Sequence, residues 1–152
     1  MSNSLALQFR TTIDEFSALL ENLPASIADV ACRQEGWTGG QIVGHLIDSA
    51  ANNRQRFVRA SIDGRYYGPG YEQDQWVIAL GYREQSWDTL LRWWRAEHEI
   101  LVAVVEHIPE QKLAAECIVE DSAPVTLSFL ITDYLRHQRH HFEQLKSGLL
   151  VP

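Results

Sequence analysis

Apolar residues in this chain recur every three to four positions in four separate segments and almost nowhere alternate with a period of two. A helix with one apolar stripe is stable only against another such stripe, so the pattern confines the chain to helix-on-helix packing. In the first segment, residues 5 to 23, the stripe is Leu5, Phe9, Ile13, Phe16, Leu19, Leu20 and Leu23, and Pro24 ends it. The second opens at Thr38-Gly39-Gly40-Gln41, which has the spacing of a capping box, with Trp37 placed to staple onto the first turn. It should run to about residue 62 and stop at Asp63-Gly64. Ser86 caps the third, with Asp88 at the positive end of its dipole and Trp87, Leu91, Trp94, His98, Leu101 and Val105 as its stripe, up to Pro109. The fourth runs from Thr126 to about residue 147, with Gly148 at the C-terminal cap position.

The expected fold is an all-α four-helix bundle, a single domain over residues 1–152, with a long second connection. That connection, residues 64 to 85, is aromatic and should hold a short helical piece near residues 73 to 80. Residues 117 to 125 have some β character, broken by Asp121, Ser122 and Pro124, and read as a loop or a short edge strand. With 45% hydrophobic residues in 152, one substantial core is expected.

Charge and cysteine usage narrow the partners. Thirteen basic against twenty acidic residues give a net charge of −7, so no general positive field exists to attract nucleic acid. No apolar run approaches the roughly 20 residues of a membrane span. Cys32 and Cys117 lie far apart without C-x-x-C spacing and read as reduced structural thiols of a cytoplasmic protein.

Two stripes carry polar groups where packing alone wants apolar ones. In the second segment the inner positions are Ile42, His45, Leu46, Ser49, Asn53, Phe57 and Ala60; in the fourth they are Leu127, Leu130, Tyr134, His137, His141 and Leu145. His137 and His141, four apart, lie on one helical face and can share one ion. Buried imidazoles left unpaired cost roughly 1 to 3 kcal/mol per group, a cost a metal removes. His45 can bring a third ring to the same cavity, and three histidines with an open position describe a catalytic metal site. Neutral imidazoles suit zinc, nickel, iron and copper alike. His140 falls about 100 degrees round with Phe129, Asp133, Arg136 and Gln144, towards solvent. His98 is a fourth candidate ligand or a satisfied core histidine, and His107 is a favourable charge at a helix C-terminus.

The run Trp37-Thr38-Gly39-Gly40-Gln41-Ile42-Val43-Gly44-His45-Leu46-Ile47-Asp48-Ser49-Ala50-Ala51-Asn52-Asn53, followed far downstream by His137-x-x-x-His141, resembles the DinB-like superfamily of four-helix-bundle metalloproteins. The resemblance implies up-down-down-up helix order, a homodimer, and a divalent ion, zinc or nickel, on His45, His137 and His141. Relatives of that kind include low-molecular-weight thiol S-transferases and a thiol-dependent maleylpyruvate isomerase. The expected function is therefore activation of a thiol or water by the ion for transfer to, or hydrolysis of, a small-molecule substrate, with a low-molecular-weight thiol as cofactor. The alternatives are a non-catalytic metal- or ligand-binding stress protein and a plain dimeric bundle with structural histidines. Asp48 and Asn52, one and two turns beyond His45, are candidates to support the ligands or touch substrate. Tyr71, Asp74 and Trp76 are candidates to wall the pocket, and Trp93 to lie in a dimer interface.

Overall fold

Each periodic segment forms a helix, with ends close to where its punctuation puts them. The computed structural model describes residues 4–32 and 36–149. Helix α1 spans Ser4–Asn22 and buries Phe9, Ile13, Phe16 and Leu20. Helix α2 spans Gly39–Asp63, and its capping box forms in both directions: Gln41 N–H donates to Thr38 Oγ1 at 3.2 Å, and Thr38 N–H donates to Gln41 Oε1 at 3.0 Å. Gly64, with φ 75°, closes it in the left-handed conformation that a side chain would resist. In the long connection, helix α3 covers Gln73–Ala79. Helix α4, Trp87–His107, is capped by Ser86, and helix α5, Leu127–Gly148, by Thr126; each hydroxyl accepts an N–H from the first turn.

The four long helices share one core. Both α1 and α2 pack against α4 and α5, so α1 stands diagonally opposite α2, and α4 opposite α5. Phe16 stacks on Phe142 with ring centroids 4.5 Å apart, and Phe9 on Tyr134 at 5.8 Å, joining α1 to α5. At the surface, Arg10 meets Glu106 and Arg95 meets Glu21, both at 2.5 Å, between α1 and α4.

The structure departs from the expected all-α fold in a small sheet at one end of the bundle. Strand β1, Arg65–Gly68, pairs in parallel with β2, Glu116–Val119, and β2 pairs antiparallel with β3, Val125–Thr126. The segment beginning at Cys117 is thus the central strand, not an edge. Tyr66 and Cys117, directly paired, turn their side chains into the core, while Arg65, Tyr67 and Glu116 stay exposed. Gly148 also differs from expectation. It is the last helical residue, and Leu149 caps the helix in right-handed geometry. Gly148 packs on Cys32, where an added Cβ would lie 2.3 Å from Sγ, so close approach accounts for this glycine. On α4, Leu90 is fully buried and the expected Leu91 only partly. Among the described residues no helix is long and apolar enough to cross a membrane.

Candidate metal centre

The histidine-bearing faces of α2 and α5 meet. His45 Nε2 lies 3.2 Å from His137 Nε2, and His137 Nε2 lies 3.1 Å from His141 Nε2, with all three nitrogens inside 4.8 Å of one another. The rings meet edge to face, with centroids 4.6 to 5.0 Å apart. His45 is fully buried, His141 is 6% exposed, and His137 is half-buried at the open edge of the cluster. Burial, with Arg136 adding to it, lowers the pKa of His137 and so favours the neutral ring.

The tautomers show where lone pairs collect. His141 Nδ1–H donates to Gln144 Oε1 at 2.7 Å, which leaves Nε2 of that ring as a lone pair. His137 Nε2 then has two neighbours and at most one proton. Whether that proton sits on His137 and faces both neighbours or comes from His45, two lone pairs still point into the cluster. A cation at the point of convergence can take up all three nitrogens as lone-pair donors. Two nitrogens bound tetrahedrally to zinc stand about 3.3 to 3.4 Å apart, close to the spacing here. The residues present therefore fit a divalent ion held by three neutral imidazoles, with Gln144 fixing the tautomer of one.

The surroundings restrict access. Trp37 lies against the His45 ring at 5.1 Å between centroids, and Tyr71 stacks over it at 6.4 Å. Tyr71 in turn packs edge-on against Trp76 at 5.2 Å. Burial and the nearby Asp48 push the Tyr71 phenol up to about 12, so it remains protonated. Next to His137 is a chamber of about 180 Å³ bounded by Ser49, Asn53, Arg56, Tyr71 and Tyr134. Of the other pocket candidates, Asp74 is exposed.

Asp48 is buried, and its Oδ1 accepts a hydrogen bond from Tyr82 at 2.5 Å; burial raises its pKa to about 6 despite that bond. Asn52 is half-buried, and its amide donates to the Asp48 carbonyl at 2.9 Å. His98 stands apart as a satisfied core residue. Its Nδ1–H donates to Trp94 O at 2.8 Å and its Nε2 accepts from the Tyr134 hydroxyl, while burial lowers its pKa to about 4. His140 is exposed, as its position on the helix implies. Gln144, grouped with His140 on the solvent face by sequence, is in fact the partner of His141; its i+3 spacing was the available signal.

A profile of the DinB superfamily matches residues 8–145, and the chain belongs to that family. It is 22% identical over 117 residues to a curated protein of Oceanobacillus iheyensis, "Putative metal-dependent hydrolase OB0413", a match covering 77% of this chain and 67% of that one. Its fold is similar to that of YfiT from Bacillus subtilis, described as a probable metal-dependent hydrolase with an unusual four-helix bundle topology. The TM-score is 0.82 at 22% identity, over 97% of this chain and 87% of the other. It is also similar to a mycothiol-dependent maleylpyruvate isomerase, with a TM-score of 0.76 at 15% identity over 93% of this chain and 59% of that larger one. At these identities the two structures establish the fold alone.

Proposed function

We propose that this protein is a divalent-metal-dependent enzyme that uses His45, His137 and His141 to hold zinc or nickel and activates a thiol or water for transfer to, or hydrolysis of, a small molecule. The observation that carries this reading is the convergence of three imidazole nitrogens from two helices, with at least two lone pairs directed into the space between them. A bound ion supplies Lewis-acid chemistry, lowering the pKa of a coordinated water or thiol and polarising an acceptor. The chain does the rest. Gln144 orients His141, burial keeps His137 neutral, and Tyr71 with Trp37 screens His45 from solvent. The chamber beside His137 leaves room for a reacting group at the least buried ligand. Asp48 and Asn52 brace this part of α2 in the proposal, Asp48 through Tyr82.

The same proposal takes residues 1–152 as one domain, a cytoplasmic homodimer that binds neither nucleic acid nor membrane. Buried free thiols at Cys32 and Cys117 and the net charge of −7 support the compartment and the exclusion of nucleic acid. Trp93, 37% exposed, supports an apolar contact between subunits. An up-down-down-up order is supported by the pairs Arg10 with Glu106 and Glu21 with Arg95, which run α1 against α4. Phe9 with Tyr134 and Phe16 with Phe142 advance together along α1 and α5.

Elemental analysis of protein purified without a tag tests the site, and assays of metal-loaded protein with ester and amide substrates, and with cellular thiols plus a chromogenic electrophile, test the reaction. Retained zinc or nickel and chelator-sensitive turnover are expected. Turnover that survives chelation or His137→Ala refutes the mechanism, and bound metal without turnover in any pairing favours a non-catalytic binding protein.

A further inference from the structure

On the far side of Arg56 from the histidines lies a groove of about 760 Å³ between α2, β1 and α3. Its floor is one face of α2, where Asn52, Gln55, Arg56, Arg59 and Asp63 recur at helical spacing. Arg54 flanks that face and Arg65 enters from β1, so four guanidinium groups line the groove against the carboxylate of Asp63. In a chain of net charge −7 this concentration runs against the overall balance.

Among the described residues these charges are only partly neutralised, by Asp63 in the lining and by Glu116, opposite Arg65 in the sheet. Arg54 meets Glu97 at 3.8 Å, the outer limit of an ion pair, and among the described residues Arg56 donates to the Pro69 carbonyl at 3.5 Å and has no ion-pair partner. Arg65 lies over the Tyr67 ring at 5.5 Å, and among the described residues the Arg59 side chain has no ion-pair partner. Trp76 forms part of the wall, backed by the Tyr71 ring that covers His45. Arg56 borders both this groove and the chamber beside His137, so the two spaces are neighbours across one side chain.

We propose that the groove binds a small anion carrying two or more carboxylate or phosphate groups, with its body against Trp76 and its reactive end directed past Arg56 towards His137. Guanidinium forks match both acid groups in geometry and charge, and several forks around one concave space select a compact polyanion over a single negative charge. The anion site stands on the groove itself; only the role of its far end rests on the metal-dependent reaction proposed above.

The test titrates the full chain, as purified and after dialysis against a chelator, with tricarballylate and with inorganic pyrophosphate. The neutral trimethyl ester of tricarballylate is the control, and the indole N–H signal of Trp76, assigned with Trp76→Phe, is the readout. Both anions should shift that signal saturably and more weakly as salt is raised, and the ester should not. Arg56→Gln and Arg59→Gln should each weaken binding roughly tenfold, as expected for losing a charge-assisted contact, and the double variant should abolish it. Arg59 is exposed, so its variant should keep the wild-type circular dichroism and melting curve. In His137→Ala, anion binding should persist within about twofold, as for an independent site. Equal binding of the ester, an unmoved Trp76 signal or a double variant that binds like wild type overturns the proposal, as does loss of binding in His137→Ala. Anion binding in a protein that takes up no metal sinks the reaction and keeps this site; metal binding without an anion response does the reverse.

Discussion

Gly44→Ala sets two effects of opposite sign against each other in the middle of α2. Helix propensity favours Ala by about 1 kcal/mol. Against it, an added Cβ would lie 2.2 Å from Cγ and Cδ2 of Tyr82, where carbon contacts normally begin at about 3.5 Å. The ring would have to retreat by about 1.3 Å, yet Tyr82 is 1% exposed and its hydroxyl is held on Asp48 Oδ1 at 2.5 Å. Overpacking of this kind costs about 1 to 3 kcal/mol, and losing a hydrogen bond to a carboxylate about 1.5 to 3 kcal/mol more. Set against the propensity gain, the expected net loss is about 3 kcal/mol, or a fall in melting temperature of about 6 to 12 °C for a domain of this size. Urea unfolding of chelator-treated protein measures it, so that bound ligand does not contribute to the stability. In a Tyr82→Leu background the same change should cost far less. A Gly44→Ala protein as stable as wild type would show that propensity wins and that Tyr82 is not fixed by Gly44.

Three further outcomes are expected. His45→Ala, His137→Ala and His141→Ala should each lose stoichiometric zinc or nickel while His140→Ala keeps it, by elemental analysis; equal retention in all four excludes the cluster as the binding site. Gln144→Ala should weaken metal binding by about 10- to 100-fold in a competition assay without unfolding the protein, because His141 loses the partner that fixes its ring, and unchanged affinity would contradict that role. The third concerns pH. His98 stays neutral in the folded protein down to about 4 against an ordinary 6.5, so the unfolded chain takes its proton first, and stability is lost as pH falls from about 6.5 towards 4, by about 3 kcal/mol. Asp48, raised from 3.8 to about 6, takes its proton first in the folded state and acts in the opposite sense over nearly the same window. On acidification His98→Gln should therefore gain stability relative to wild type and Asp48→Asn should lose it; unfolding curves at pH 7 and 4.5 with no such divergence would refute the assignment.

What the sequence disclosed follows the range of the interactions concerned. The capping box of Thr38 and Gln41 spans three residues, and the His137/His141 pair four, so both are visible in a helical projection. Placing His45 beside them needed only the inner stripe of α2 in addition. The β1–β2 pairing joins Arg65 to Glu116, and strands of four residues have too little periodicity to announce a partner so distant. The Tyr82 contact of Asp48 and the Tyr134 contact of His98 depend likewise on how helices and turns are brought together. Gly148 was misread for a different reason: a glycine at a helix end signals a cap, and nothing local distinguishes that from one kept small by Cys32.

The wide separation of the histidines also imposes an order on biosynthesis. His45 precedes His137 by 92 positions, and at common elongation rates of 5 to 20 residues per second roughly 5 to 20 seconds separate their synthesis. Even once α1, α2 and α4 have all been made, the helix that completes their core and supplies the other two imidazoles is still missing. A nascent chain therefore cannot assemble the three-histidine centre before α5 has been made, which ties loading of the site to the last helix of the chain's described residues.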